Sequence, residues 1–135
     1  MITAVDTSVL LDVFGADPRF GSSSRALLGQ CLHEGRVIVC DVVVAEITSA
    51  FPEARAAQDA LARLGVAYEP SGEDAAVLAG VAFAAYRARG GKRERVVADF
   101  LIGSHALQHA DRLLSRDRGF HRTYFAGLTV LDPTA

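Results

Sequence analysis

Four carboxylates, Asp6, Glu46, Asp99 and Asp117, occupy settings unusual for surface acids. Asp99 lies within VVADFLIGSHA, Val96 to Ala106, where apolar or small residues recur at helical spacing. It shares a helical stripe with Ile102, Gly103, Ala106 and Ala110. A carboxylate on a buried stripe is expensive unless it is paired or holds a metal. Gly103, one turn on, removes a side chain and lets backbone or ligand approach. Glu46 has Val42, Val43 and Ala50 at its i−4, i−3 and i+4 positions, whereas a solvent-facing glutamate would have polar neighbours there. Asp6 follows the apolar run Ile2 to Val5, and Asp117 follows Arg112 to Ser115. Singly, each acid has an ordinary explanation: a helix cap for Asp6, a surface glutamate for Glu46, a buried ion pair for Asp99, a turn aspartate for Asp117. Converging without a cation, the four would repel one another and lose part of their ionisation. Mg2+ or Mn2+ resolves that conflict, because hard cations prefer oxygen ligands. Such a centre supports phosphodiester hydrolysis, with water acidified by the cation, charge on the phosphoryl oxygens neutralised and one carboxylate available as general base.

The pattern along the chain says how these acids could meet. Short apolar runs at Ile2 to Val5, Arg36 to Cys40, Val66 to Glu69, Arg112 to Ser115 and Leu128 to Leu131 read as strands. Helical patterns lie between them: Val9 to Phe14, Arg25 to Glu34, Val42 to Phe51, Glu53 to Leu64, an alanine-rich stretch to about Arg89, and the segment around Asp99. Ser22 to Ser24 and Asp41 are expected helix caps, and Ser71-Gly72-Glu73-Asp74 resembles a capping box. Strands alternating with helices imply βαβ crossovers. The expected fold is therefore a single α/β domain over residues 1–135, a three-layer α/β/α sandwich with a mostly parallel five-stranded sheet and about six helices. In a parallel sheet the carboxyl ends of the strands share one edge, where ligands bind. All four acids are expected there or one helical turn beyond. Strand order is not readable from the pattern.

Composition sets limits. At 135 residues, half of them apolar, the chain suits one domain with one core. A formal charge of −2 is near zero, so bulk electrostatics do not announce a nucleic-acid binder, and a polyanion would need a local basic patch. Cys31 and Cys40 fall in expected buried elements and read as reduced core thiols. No stretch approaches the ~20 apolar residues of a membrane span, and Met1 to Val5 lacks the features of an export signal. A cytoplasmic protein with no membrane partner is the expectation.

Asp6-Thr7-Ser8-Val9-Leu10, Glu46 within VVAEI, Asp99 within VVADFLIGSHA and Asp117 within LLSRDRGFHRTYF together resemble a PIN domain, more closely the VapC-type toxins of bacterial toxin–antitoxin pairs. The resemblance covers nearly the whole chain in order, and its last two segments are the specific ones. It implies that Asp6, Glu46, Asp99 and Asp117 are both catalytic and metal-binding. Thr7 and Ser115 map onto hydroxyls that orient ligands or water in that family. It further implies a magnesium-dependent endoribonuclease that leaves 5′-phosphate and 3′-hydroxyl ends, a homodimer, and neutralisation by a small antitoxin. Many PIN domains carry a further acid shortly after the fourth; here Asp117 is followed by Arg118, Gly119 and Phe120.

Other residues complete the reading. Arg87, Arg89, Lys92, Arg93 and Arg95 flank Gly90-Gly91; they form either a solvated helix end or a phosphate-binding rim beside Asp99 that Arg116, Arg118 and Arg122 could extend. Phe120, Tyr124 and Phe125 are expected in the core rather than as base-stacking platforms. His105 and His109 are four apart but lack the HExxH glutamate, so a zinc pair is disfavoured; His33 and His121 have no partner in the sequence. Asp12, Asp41, Asp111 and Asp132 read as turn, cap or surface residues. Two alternatives to the RNA substrate and antitoxin reading stay open: a PIN fold kept only for binding, and a signalling receiver domain, for which the paired acids and the lysine are missing.

Overall fold

The computed structural model describes residues 1–92, 95–117 and 119–134. Among them the chain forms five strands and seven helices: β1 (Ile2–Val5), α1 (Thr7–Phe14), α2 (Gly21–Glu34), β2 (Arg36–Val39), α3 (Asp41–Ser49), α4 (Ala54–Leu64), β3 (Ala67–Tyr68), α5 (Gly72–Ala88), α6 (Val97–His109), β4 (Arg112–Leu114), α7 (Phe120–Tyr124) and β5 (Thr129–Leu131). The sheet is wholly parallel, in the order β3-β2-β1-β4-β5, with helices packed around it. β1, β2 and β4 are buried almost along their whole length, which is why they read as continuous apolar runs. The α/β sandwich is as expected. The receiver alternative is not supported, because that fold orders its strands 2-1-3-4-5. No helix among the described residues is long and apolar enough to cross a membrane.

The order has a consequence for function. From β1 the chain steps outward to β2 and β3, then crosses back to β4 on the other side of β1. The switch point lies between β1 and β4, and at their carboxyl ends a crevice opens. Register there is fixed by pairing of Val5 with Leu114 and by the Asp6 N–H, which donates to the Leu114 carbonyl at 2.9 Å. At the opposite end of the same strands, buried Arg112 donates to Thr3 Oγ1 (2.9 Å) and Glu34 Oε1 (2.7 Å), and Asp111 accepts from the Ile2 N–H (2.7 Å).

An aromatic cluster sets the wall of the crevice. Phe100 is fully buried, with Phe83, Tyr86, Phe120, Tyr124 and Phe125 around it, and Phe120 meets it edge-on at 5.1 Å between centroids. Those rings come from α5, α6, α7 and the residue that caps α7, so burying them seats the short α7 on the helix that carries Asp99. Phe120, Tyr124 and Phe125 are core residues, as expected. Cys31 and Cys40 are buried free thiols.

Several local expectations are corrected. Helix α7 was not expected, because five residues give no period to detect. Ser22 to Ser24 do not cap α2, which starts at Gly21; Ser24 is buried and donates to Asp12 (2.7 Å). Ser71 does not close a capping box on α5; its hydroxyl donates to Asp41, which is the first residue of α3 rather than its cap. His105 and His109 reach the same loop: their Nε2 atoms lie 2.9 Å from the Glu69 carbonyl and 2.7 Å from the Ser71 carbonyl. They pin the β3–α5 connection to α6.

Two predictions come from this packing. A Cβ built on Gly103 would lie 2.3 Å from the Phe125 ring and 2.8 Å from His121 Nδ1. Gly103→Ala should therefore destabilise the fold by about 1–3 kcal/mol, read from denaturant midpoints; unchanged stability would contradict the packing. Burial pulls the His105 pKa below its ordinary 6.5, outweighing the Glu69 carbonyl. Between the lowered value and 6.5 the unfolded chain then binds more protons, so the contribution is intact above 6.5 and lost as pH falls below it. Urea midpoints measured from pH 7 to pH 5 should drop less steeply for His105→Gln than for the wild type; equal slopes would remove His105 as the cause.

Candidate metal centre

Each predicted acid is delivered by the end of a strand or the first turns of a helix. Asp6 is the last residue before α1 and caps it: Oδ1 accepts from the Thr7 N–H at 2.7 Å. Its other oxygen, Oδ2, accepts from the Ser115 hydroxyl across the switch point at 2.6 Å. Burial opposes charge on Asp6, but the His121 ring, the Ser115 hydroxyl and the Thr7 N–H together hold its carboxyl below the usual aspartate value. The expected cap and the expected site acid are thus one residue using two oxygens. The predicted supporting residues are both in contact with the acids, because Thr7 donates through Oγ1 to Glu46 Oε1 at 2.7 Å.

Asp117 lies where the chain leaves β4 for α7. Oδ1 accepts from the Gly119 N–H (3.1 Å) and Oδ2 from the His121 N–H. Gly119, with φ 93°, makes this tight reversal possible, since that region is strained for other residues. The Asp117 side chain is 4% exposed. Asp99 sits in the first turn of α6, where Oδ2 accepts from the Val96 N–H (2.9 Å) and Oδ1 lies outside that bond.

The structure therefore bonds Asp6 to Ser115 at the switch point, brings Asp117 to the same His121 ring that Asp6 faces, and attaches Glu46 to Thr7 beside Asp6. Glu46 is exposed to solvent, yet its carboxylate is turned onto the residue next to Asp6. Asp99 is brought up by α6, whose Gly103 touches the His121 ring one turn further on. Among the described residues, no three His, Cys, Asp or Glu side chains are drawn close enough to hold an ion as they stand. The donor set still fits a hard divalent cation: oxygen ligands predominate, two of the acids are largely buried, and no thiolate competes.

His121 is the residue the sequence reading missed. It is 3% exposed, and Nε2 lies 3.8 Å from Asp6 Oδ2 and 3.9 Å from Asp117 Oδ2. Those gaps are too long for hydrogen bonds. Among the described residues, its Nδ1 is the buried side-chain polar atom without a partner. The available signal was its spacing, four residues beyond Asp117 across the turn that enters α7.

The basic residues divide. Arg116 binds Asp12 through two nitrogens, at 2.8 and 3.0 Å, and lies over the Phe20 ring at 4.1 Å. It is thus held in the fold rather than free on a rim, and Asp12 is a buried ion-pair partner rather than a turn or surface residue. Arg122 donates to the Val130 carbonyl. Arg87, Lys92 and Arg95 line a depression of about 380 Å³ over Phe83 and Tyr86, next to Val96 at the mouth of α6. Arg89 and Arg95 lie over Tyr124 and Phe120. Arg93 and Arg118 fall outside the described residues.

Solved structures with this architecture come from several bacteria. VapBC2 from Rickettsia felis, bound to a DNA fragment from its promoter, has a TM-score of 0.75 at 18% identity, with 98% of each chain covered. A toxin–antitoxin complex from Klebsiella pneumoniae matches at 0.67 and 16% identity, covering 97% of each chain. VapC20 from Mycobacterium tuberculosis, described as a sarcin–ricin loop cleaving toxin, matches at 0.60 and 20% identity, covering 94% of this chain and 98% of its own. These likenesses establish the fold. No curated protein matches. The PIN domain model matches residues 3–126, spanning the acids after β1 and β4 and the helices that carry the other two, and the chain accordingly belongs to the PIN domain family.

Proposed function

We propose that this chain is a divalent-cation-dependent endoribonuclease acting as the toxin of a toxin–antitoxin pair. In this reading it hydrolyses RNA phosphodiesters to leave 5′-phosphate and 3′-hydroxyl ends. The observation that carries the proposal is the gathering of acids at the switch-point crevice: Asp6 and Asp117 bring their Oδ2 atoms to 3.8 and 3.9 Å from the buried His121 Nε2, and Glu46 is tied to Thr7 beside Asp6. The description of VapC20 as a sarcin–ricin loop cleaving toxin supports the substrate class, and the likeness to toxin–antitoxin complexes supports the partner.

The chain's residues divide the work. Asp6, Asp99, Asp117 and Glu46 would hold Mg2+, or Mn2+ in its place. A cation bound there would acidify water and neutralise charge on the phosphoryl oxygens. Ser115 and the Thr7 N–H fix the orientation of Asp6, and the Thr7 hydroxyl fixes that of Glu46. Glu46, the most exposed of the four, is placed to accept a proton from attacking water. Arg87, Lys92 and Arg95 would draw the RNA backbone toward the mouth of α6. A small antitoxin is the matching inhibitor. An apolar groove of about 470 Å³, where Val13 and Phe14 of α1 meet Ala60 and Leu64 of α4, offers it a seat between Arg25 and Arg63. A homodimer belongs to the same reading, and Val77 and Val81, exposed one turn apart on α5, supply apolar surface for it.

The direct test incubates purified, partner-free protein with total cellular RNA, with and without Mg2+. Discrete cleavage should require the cation and fall by roughly 10²–10³-fold or more in Asp99→Asn. A folded wild type that binds cation yet leaves all RNA intact would favour a fold kept for binding alone. A second test concerns the basic rim. The double variant Arg87→Glu, Lys92→Glu should weaken binding of single-stranded RNA of any sequence. It should also reduce the slope of log affinity against log salt by about 1.4, the share of two phosphate contacts. An unchanged slope would place the RNA path elsewhere.

A further inference from the structure

The depression at the mouth of α6 has two chemically different parts. Its floor is aromatic: Phe83 and Tyr86 have ring planes 15° apart and centroids 6.4 Å apart. Its rim is cationic, with Arg87, Lys92 and Arg95 around it and no acid among the described lining residues. The rim is fastened to the floor. The Gly91 N–H donates to the Tyr86 carbonyl at 2.9 Å, and a Cβ on Gly91 would lie 2.5 Å from the Tyr86 ring, so a larger residue could not run so close. The Tyr86 hydroxyl donates to the Lys92 carbonyl. Arg95 is half-buried, its guanidinium held 4.1 Å from the centre of the Phe120 ring. Val96 closes the far side, and its N–H donates to Asp99 Oδ2 at 2.9 Å, so the depression and a site acid share one turn of chain.

We propose that this depression seats one unpaired nucleobase of the RNA, stacked on Phe83, while Arg87, Lys92 and Arg95 hold the phosphates on either side of it. The inference rests on the ribonuclease reading above and deepens it, by naming how a nucleotide beside the cut is held. Three cations alone would serve a phosphate, but a phosphate on an apolar floor would give up water with no partner beneath it. A nucleotide matches both parts, with a flat ring for the floor and an anionic backbone for the rim. The volume of about 380 Å³ falls within the roughly 300–1,000 Å³ of small-molecule sites. Arg87 lies 5.9 Å from the Phe83 centroid, at the limit of cation–π contact, and is exposed, so it can swing onto the outer face of a seated base. A base held in a helix cannot enter, so the nucleotide must be splayed out.

The test uses wild-type protein in a chelating buffer, so that RNA binds without being cut. The probe is a single-stranded RNA of about 10 uridines. With 5-iodouridine in place of uridine, the complex is irradiated and the adduct located by mass spectrometry; Phe83 or Tyr86 should carry it. A stable abasic oligomer of the same length and charge should bind about fivefold more weakly or worse. Phe83→Leu keeps an apolar side chain but loses the ring. It should lose about fivefold or more in affinity for the uridine probe, with the slope of log affinity against log salt unchanged, because stacking releases no counterions. A slope that falls with the affinity would overturn stacking as the cause. The adduct and the abasic comparison need no variant, should Phe83→Leu not fold. Adducts confined to other residues, or equal affinity for the abasic oligomer, overturn the base site, while cleavage that needs Mg2+ and Asp99 would leave the ribonuclease standing. A wild type that neither binds nor cleaves RNA overturns both.

Discussion

Asp6 and Asp117 are two carboxylates held largely out of water beside one imidazole, that of His121, and much of the molecule can be understood as the means of keeping them there. Like charges so placed would ordinarily push one carboxyl toward its neutral form. Here fixed donors surround each of them. Asp6 takes the Thr7 N–H and the Ser115 hydroxyl, and Asp117 takes the N–H groups of Gly119 and His121. These donors belong to the backbone or to a buried serine, so they need no reorganisation when charge develops nearby. For Asp6 the balance favours the charged form despite burial.

Those donors hold position only because the framework does. The β1–β4 seam is fastened at both ends: by the Asp6 N–H to the Leu114 carbonyl beside the acids, and by Arg112 with Thr3 and Glu34 at the far edge. Phe100 and its ring of aromatics fasten α7 to α6, so the helix following Asp117 and the helix carrying Asp99 share one core. Asp12 and Arg116 form a third fastening, tying α1 to the segment between β4 and Asp117. Apolar burial thus supplies the rigidity, and the polar groups at the sheet edge supply the chemistry.

The legible parts of this protein were those written in local pattern. Strand runs, helix periods, and acids after strands or on apolar helix faces needed only neighbouring residues, and they marked Asp6, Glu46, Asp99 and Asp117. What escaped depends on contacts between distant residues. The Asp12–Arg116 pair spans 104 positions and the Asp41–Ser71 bond 30, so both acids looked like ordinary surface or cap residues. Strand order is a property of the assembled sheet. His121 escaped because α7 is too short to show a period, although its spacing from Asp117 was present in the chain.

The most direct measurement is crystallographic: anomalous scattering from crystals of the protein grown with Mn2+. The account predicts one strong peak in the β1/β4 crevice, within about 2.3 Å of an oxygen of Asp6 and of Asp117. A well-ordered crystal with no peak there, or with its peak elsewhere on the molecule, would contradict the claim that these carboxylates are assembled to hold a cation.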